Sequence, residues 1–255
     1  MQVLSRPDLP MWPVKTNFAA QISQAPYLCW LHQDDLWLPG RADAIRRWIA
    51  ESPSAVLHLA PSVVVNDQGR HLGTWNCPLP SAGDVPARML AERLIVQNFI
   101  SAPAPVFRRD AWIATGGLDE ALWYTADWDI WLKLAASGAV RYHSDPTTAF
   151  RVHGGSLTIV GGRDLVRLAE QMQIVIERHL PSVPDGSGLV KRLVSVSCAV
   201  NIALAAASGG NLRYLLGAIA GAILLGPKGW VRYCQDSRIV ERLMPRLRAK
   251  FSGSL

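Results

Sequence analysis

Charged side chains are scarce in this chain: Asp, Glu, Lys and Arg make up 18% of its 255 residues, while 49% are hydrophobic. That balance excludes a generally disordered chain and leaves ample apolar surface for a full core. There is no collagen period, no internal repeat and no low-complexity tract. Cysteines are few. Cys29, Cys77, Cys198 and Cys234 lie far apart with no CxxC spacing, which argues against a zinc site or a disulfide framework and fits a reducing cytoplasm. The opening MQVLSRPDLPMWPVK has three prolines and no apolar centre, so it does not read as a signal peptide.

A basic surface is also missing over most of the sequence. The net charge is +6, but residues 228 to 255 hold seven basic and two acidic residues, or +5, leaving +1 for the rest. A nucleic-acid-binding body is basic across its face, so no nucleic-acid partner is expected. The basic tail suits an anionic membrane surface or, equally, a solvated helix. The apolar runs at 193 to 207 and 212 to 225 are broken by Ser208-Gly209-Gly210-Asn211. Neither reaches the roughly 18 to 20 apolar residues that span a bilayer. A helical hairpin packed on the rest of the chain and insertion into one leaflet both fit them.

Against these absences, tryptophan is abundant, with 10 residues. Trp builds cores but also flat platforms for sugar rings, so the count alone does not decide. Residues 1 to 16 read as an irregular lead-in and 27 to 31 as a short buried strand that ends at His32-Gln33-Asp34-Asp35. A helix follows Pro39 and stops at Pro53. Strands are expected at 55 to 59 and 62 to 65, with Asn66-Asp67-Gln68-Gly69 turning the second into a hairpin with 70 to 75. Helices are expected at 87 to 99, 128 to 137 and 163 to 180, strands at 104 to 108, 140 to 143 and 148 to 152, and a linker at 181 to 188. Strands alternating with helices indicate an α/β domain of about 155 residues.

Three clusters could carry chemistry. Adjacent carboxylates at a strand end, Asp34 and Asp35, repel each other and suit Mg²⁺ or Mn²⁺ together with substrate phosphates. They would serve equally as caps of the next helix. Asp127, at the start of a helix beyond Gly116-Gly117-Leu118-Asp119-Glu120, could act as a general base or as a cap. Arg151-Val152-His153 ends a strand, where the imidazole could join a metal site and the guanidinium hold a phosphate, or both could be structural.

Taken in order, these clusters resemble the family 2 glycosyltransferases of GT-A fold. The matching text is LHQDDLWLPGR, VFRRDAWIATGGLDEAL, ADWDIWLKLAASGAVRYH and FRVHGGSLT, which together cover roughly residues 17 to 158. The resemblance implies an α/β fold class: a GT-A-like, Rossmann-like mixed sheet with a C-terminal helical extension. Residues 1–160 would form a partial GT-A catalytic domain and 161–255 a C-terminal helical region with a basic tail. The domain would be N-terminally truncated, because about 33 residues precede Asp34 where the family has two to three times as many, and nothing in MQVLSRPDLPMWPVKTNF matches its opening strand.

In that family a DxD-type motif binds a divalent metal, Mg²⁺ or Mn²⁺, and the diphosphate of a nucleotide-sugar. Asp34 and Asp35 match its acidic end, with Asp35 in the position that faces the cation, while His32 stands where another Asp is usual. His153 matches the histidine that completes the metal or diphosphate site. The resemblance thus implies Asp35, Asp34 and His153 as metal ligands and Gly116, Gly117, Arg151 and His32 as donor-binding residues. Asp127 matches the acceptor-activating Asp of an "ED" pair whose Glu is replaced by Ala126. The activity so implied is inverting, metal-dependent transfer of a single sugar from a nucleotide-sugar donor to a glycan or lipid-linked acceptor, in cell-envelope polysaccharide biosynthesis. Its place would be the cytoplasm, peripheral at the inner face of the cell membrane. Single transfer is expected because the Gln-x-x-Arg-Trp signature of processive synthases is missing: Arg47-Trp48 has no Gln three residues before the Arg. The alternatives are a catalytically inactive GT-A remnant serving as a binding or partner module, and a metal-dependent phosphohydrolase.

Overall fold

The structure is a computed structural model and describes residues 3–155, 164–184 and 188–251. The expected boundary at 160/161, residues 156 to 158 of the matched FRVHGGSLT and residues 185 to 187 of the expected linker lie outside the described residues.

The strands divide between two sheets. The first has five strands in the order β1 (Tyr27–Leu28), β7 (Val106–Arg108), β3 (Leu57–Leu59), β8 (Val140–Tyr142) and β6 (Gly83–Val85). The second has four, ordered β2 (Leu36–Trp37), β9 (Thr148–Arg151), β4 (Ser62–Val65) and β5 (His71–Trp75). Among the described residues only β3–β8 and β4–β9 pair in parallel. The chain passes from the first sheet to the second three times, after β1, β3 and β8, and the last two passages, through Ala60-Pro61 and through residues 143 to 147, run side by side. Where both passages enter the second sheet, the buried Ser62 Oγ lies 2.5 Å from Ser101 Oγ and 2.6 Å from Thr148 Oγ1. Those hydroxyls satisfy one another in a place with no water to do so.

Nine helices are described: α1 (Trp12–Ile22), α2 (Arg41–Glu51), α3 (Ala87–Val96), α4 (Arg109–Ala114), α5 (Ala126–Ser137), α6 (Leu165–His179), α7 (Leu189–Ser208), α8 (Leu215–Ser237) and α9 (Ile239–Phe251). Fully buried Leu57, Leu90, Leu94, Ile95, Ile130, Trp131, Leu134 and Val175 belong to one core cluster that also takes in Val190, Leu193, Val194 and Tyr233 of the C-terminal helices. Trp30, Trp112, Trp131 and Phe107 pack together within it, Phe107 stacked on Trp112 and the others edge-on or tilted, with Trp30 and Trp131 centroids 4.8 Å apart. These tryptophans are core and not platforms for a sugar.

Several sequence expectations change. The lead-in is helical from Trp12, because Pro13 sits in the first turn, where a missing N–H costs nothing. The strand expected at 27 to 31 is two residues long and half-buried, pairing with β7 before Trp30 turns into the aromatic core. The helix after Pro39 starts at Arg41 behind a left-handed Gly40, so Asp34 and Asp35 are not its caps. The linker opens with a short 3-10 turn, Leu180–Ser182. The hairpin is present as expected: Asn66 Oδ1 accepts the N–H of Gln68 and Arg70, and Gly69 takes φ 78°.

The two apolar runs do form a packed hairpin, with Gly221 so close to α7 that an added Cβ would lie 3.2 Å from Val196 Cγ2. Yet α7 spans 20 residues, because Leu189 and Val190 extend the run across Lys191-Arg192, and this helix is long and apolar enough to cross a membrane. Its inner face is core all the same: Ser197 Oγ and Asn201 Nδ2 donate to Gln97 Oε1 at 3.0 and 2.8 Å.

Candidate functional site

Register creates the first half of the site. β2 pairs antiparallel with β9, Leu36 opposite Ala149 and Trp37 opposite Thr148. Continuing that register brings Asp34 and Asp35 to the end of β9, beside Arg151 and His153. Arg41 pins the loop behind them: it is buried, with Nη1 donating to Thr147 Oγ1 at 2.7 Å and Nη2 to the Pro103 carbonyl at 3.0 Å.

At this junction His153 Nε2 lies 2.9 Å from Asp34 Oδ2, joining residues 119 positions apart. The Arg151 N–H donates to Asp35 Oδ1 at 3.0 Å. The Arg151 guanidinium donates to three carbonyls, Asp34 O at 2.8 Å, Asn66 O at 2.7 Å and Asp67 O at 2.8 Å. Its charge is thus oriented without being matched to a carboxylate hydrogen bond among the described residues. Burial pushes the Asp35 carboxyl up to about 7, the Arg151 N–H offsetting part of the rise and the Asp34 charge adding to it. His32 goes elsewhere. Its ring stacks on Trp30 with planes 7° apart and meets Trp12 edge-on, and burial lowers its pKa.

Asp127 is the second residue of α5, behind Thr125 as N-cap. It is half-buried, its Oδ1 accepting the Trp128 N–H at 2.8 Å and its Oδ2 the Asn98 amide at 3.0 Å. Burial lifts it to about 6, these two hydrogen bonds holding back a larger rise. Asn98 is the residue sequence reasoning missed. It follows the last turn of α3 with no motif around it, and only the packing of α3 against α5 brings its amide to Asp127.

Gly116 and Gly117 adopt φ 80° and 67°. A Cβ at Gly117 would stand 2.5 Å from Asn17 Oδ1. Asn17 needs that space, because its amide accepts the Leu118 N–H and donates to the Leu118 carbonyl, both at 2.9 Å. The turn is therefore a docking point for α1, whatever else it touches.

Among the described residues no group of three or more His, Cys, Asp and Glu side chains is gathered as a metal site. Two donors are: the Asp34 carboxylate and the His153 imidazole. Mg²⁺ is commonly held by one or two protein carboxylates, with water and substrate phosphates completing its shell. The pair fits an ion shared with a diphosphate and does not fit a cage made by protein alone. Of the expected ligands, Asp35 has one oxygen committed to the Arg151 N–H.

This architecture has counterparts of known structure. The S. aureus glycosyltransferase TarS, as a chain of residues 1–349, superposes with a TM-score of 0.54 at 13% identity, covering 94% of this chain and 67% of that one. The fold is GT-A-like. TarS 1–349 in complex with UDP-GlcNAc aligns at a TM-score of 0.44 and 14% identity, over 89% of this chain and 72% of that one. No protein-family profile and no curated protein matches the sequence. Within the GT-A-like fold, the carboxylates at the end of β9 and the acid at the start of α5 are the two features the resemblance led one to seek.

Proposed function

We propose that this chain is a glycosyltransferase of family 2 type, moving a single sugar from a nucleotide-sugar to a hydroxyl of a glycan or lipid-linked acceptor with inversion. The observation that carries the reading is the Asp34–His153 contact of 2.9 Å beside Arg151, which unites two separately read clusters in a GT-A-like fold. Asp127 takes the proton from the acceptor hydroxyl. The acceptor oxygen bonds to the anomeric carbon as the bond from that carbon to the diphosphate oxygen breaks, releasing nucleoside diphosphate. Asp34 and His153, with Asp35 behind them, would hold a Mg²⁺ or Mn²⁺ ion, which would supply positive charge to the diphosphate that accumulates negative charge on departure. Arg151 adds a fixed cation on the same side.

The proposed acceptor class draws its support from the C-terminal helices. Leu216, Ile219, Ile223 and Leu224 of α8 recur on one helical face and are 54% to 83% exposed. Lys228 comes later on the same helix, beyond a kink at Gly226. An apolar stripe followed by a cation suits the inner face of a cell membrane, where a lipid-linked acceptor is presented.

The test is turnover with a panel of nucleotide-sugars, beginning with UDP-GlcNAc, with and without Mn²⁺. Release of nucleoside diphosphate that rises on adding a hydroxyl acceptor and stops on chelation supports the reading. Release of free phosphate without acceptor points to a phosphohydrolase. One observation favours the inactive remnant: among the described residues the cradle has two gathered donors and no third. Metal-independent silence with every donor, in protein that unfolds cooperatively, decides for that remnant.

A further inference from the structure

Helix α9 returns from the far end of the chain to cover the four-stranded sheet. Arg248 Nη1 donates to the Leu72 carbonyl at 2.5 Å, and Asn76 Nδ2 donates to Glu241 Oε2 at 2.9 Å. Between helix and sheet lies a recess lined by Val64, Trp75 and Val152 on one side and Glu241, Arg242 and Arg246 on the other.

Arg242 and Arg246 stand one helical turn apart. Arg242 Nη2 donates to Asn201 Oδ1 at 3.2 Å, while its Nε and Nη1 are buried without a hydrogen-bond partner among the described residues. Arg246 Nη1 donates only to the Arg242 carbonyl, at 2.7 Å, and its guanidinium lies 5.7 Å from the Trp75 ring centre. Neither pairs with a carboxylate among the described residues. Glu241, the acid lining the recess, is engaged by Arg238 at 2.8 Å and by Asn76. Arg232 and Arg238, their neighbours, are both ion-paired. Arg242 has two desolvated nitrogens and half-buried Arg246 sets a second cation beside it, an arrangement that is costly unless an anion completes it; burial and the Arg246 charge hold Arg242 down to about 10.

Their position gives the anion a purpose. Val152, in the recess wall, precedes His153. The charges of Arg246, Arg242 and Asp127 all act on the Tyr124 hydroxyl, three residues before Asp127. We infer that Arg242 and Arg246 form a binding site for a phosphate or diphosphate group, supplied by the C-terminal helix. Guanidinium forks match phosphate oxygens in pairs, which suits this pairing better than lysines would. The recess itself has room for about 10 Å³, one water, so the inference requires the two guanidinium groups to meet the anion at its mouth. The inference stands on these arginines and does not require sugar transfer. Two sources share the chemistry: the diphosphate of a nucleotide-sugar and the phosphate of a lipid-linked acceptor.

The probe is inorganic pyrophosphate, titrated into the full chain by calorimetry with chelator present, so that failure of a metal site cannot interfere. Wild type should bind, and Arg242→Gln/Arg246→Gln should bind about tenfold to a hundredfold more weakly, the loss of one or two charge-assisted hydrogen bonds. Without ligand the double variant should melt no lower than wild type, since it sheds uncompensated charge, and Arg246→Lys should recover part of the affinity. If the double variant does not fold, Arg246→Gln alone carries the comparison, because that side chain donates only to a backbone carbonyl. Wild type that ignores pyrophosphate, or variants that bind it equally, overturns the inference. Repeating the comparison with UDP and with phosphatidylcholine vesicles containing a polyprenyl phosphate then assigns the source: the variant effect tracks UDP for a donor site and the vesicles for an acceptor site.

Discussion

Asp127→Asn should abolish transfer while leaving a folded protein of equal or greater stability. The amide keeps the shape of the carboxylate but cannot take a proton from an acceptor hydroxyl, so kcat should fall about 10² to 10⁴-fold, the usual contribution of a general base. The stability side rests on the raised pKa. A carboxyl whose folded pKa, about 6, exceeds its unfolded value of 3.8 stabilises the fold at low pH, and that contribution is lost as pH rises through 3.8 toward 6. At neutral pH the ionised Asp127 is thus a burden of at most about 3 kcal/mol, and nearer 1 once its partial exposure is allowed for. Asparagine removes the burden. It also loses one of two hydrogen bonds, since its single acceptor oxygen cannot serve both the Trp128 N–H and the Asn98 amide, at a cost of about 0.5–1.5 kcal/mol. The two changes nearly cancel.

The wild-type pH profile provides the second arm of the assay. If Asp127 acts ionised, kcat/KM should be level near pH 7, where roughly nine-tenths of it is charged, and fall about tenfold per unit well below pH 6. Donor affinity, measured by calorimetry, should be unchanged in the variant. Near-normal turnover in Asp127→Asn, or a profile with no acid limb in wild type, would refute the assignment and leave Asp127 as a residue that only braces the first turn of α5.

The geometry yields two further outcomes. Asp34→Asn should weaken Mn²⁺ binding more than Asp35→Asn, reversing the order the sequence resemblance implied, because Asp34 meets His153 while Asp35 is buried and partly protonated at neutral pH; equal losses measured by titration calorimetry would restore Asp35 as a ligand of the same rank. Ile223→Ser/Leu224→Ser should weaken co-sedimentation with anionic vesicles at least tenfold, given about 1.5–3 kcal/mol for each large aliphatic side chain buried, and unaltered co-sedimentation would mean that the α8 stripe does not meet lipid.

The sequence was legible where local chemistry decides structure and opaque where register decides it. Asn66 to Gly69 announces its hairpin, and the alternation of strands and helices announces an α/β fold. The short strands β2 and β6 have no signal of their own: two or three residues become a strand only because a partner lies alongside. That blind spot is also where the site is made. Asp34 and His153 are 119 residues apart, and the β2–β9 register, not any spacing, brings them together. Asn98 and the Arg242–Arg246 pair were opaque for the same reason, being supplied by helices whose packing partners are distant in the chain. The packing of the His32 ring against Trp12 and Trp30 was equally opaque, since its motif position gives no sign of those aromatic neighbours.

A last argument for the role of Asp127 comes from the carboxylate two residues on. Asp129 is fully buried, which by itself would raise its pKa. Hydrogen bonds from His179 and Lys133, with the Arg178 charge, reverse the effect and pull it down to about 2. His179 and Arg178 both reach its Oδ1 at 2.8 Å, and Arg178 also holds Asp119 at 2.8 Å. Asp129 therefore stays ionised across the physiological range and ties α5 to α6 and to the loop after Gly117. Asp127, on the same helix turn, has no cation paired with it among the described residues and is driven the other way. Neighbouring acids pushed apart in this manner divide their labour. One is an electrostatic rivet that fixes where the helix begins. The other is left with a pKa of about 6 at the start of the helix that the rivet holds, which supports its proposed role as the proton acceptor.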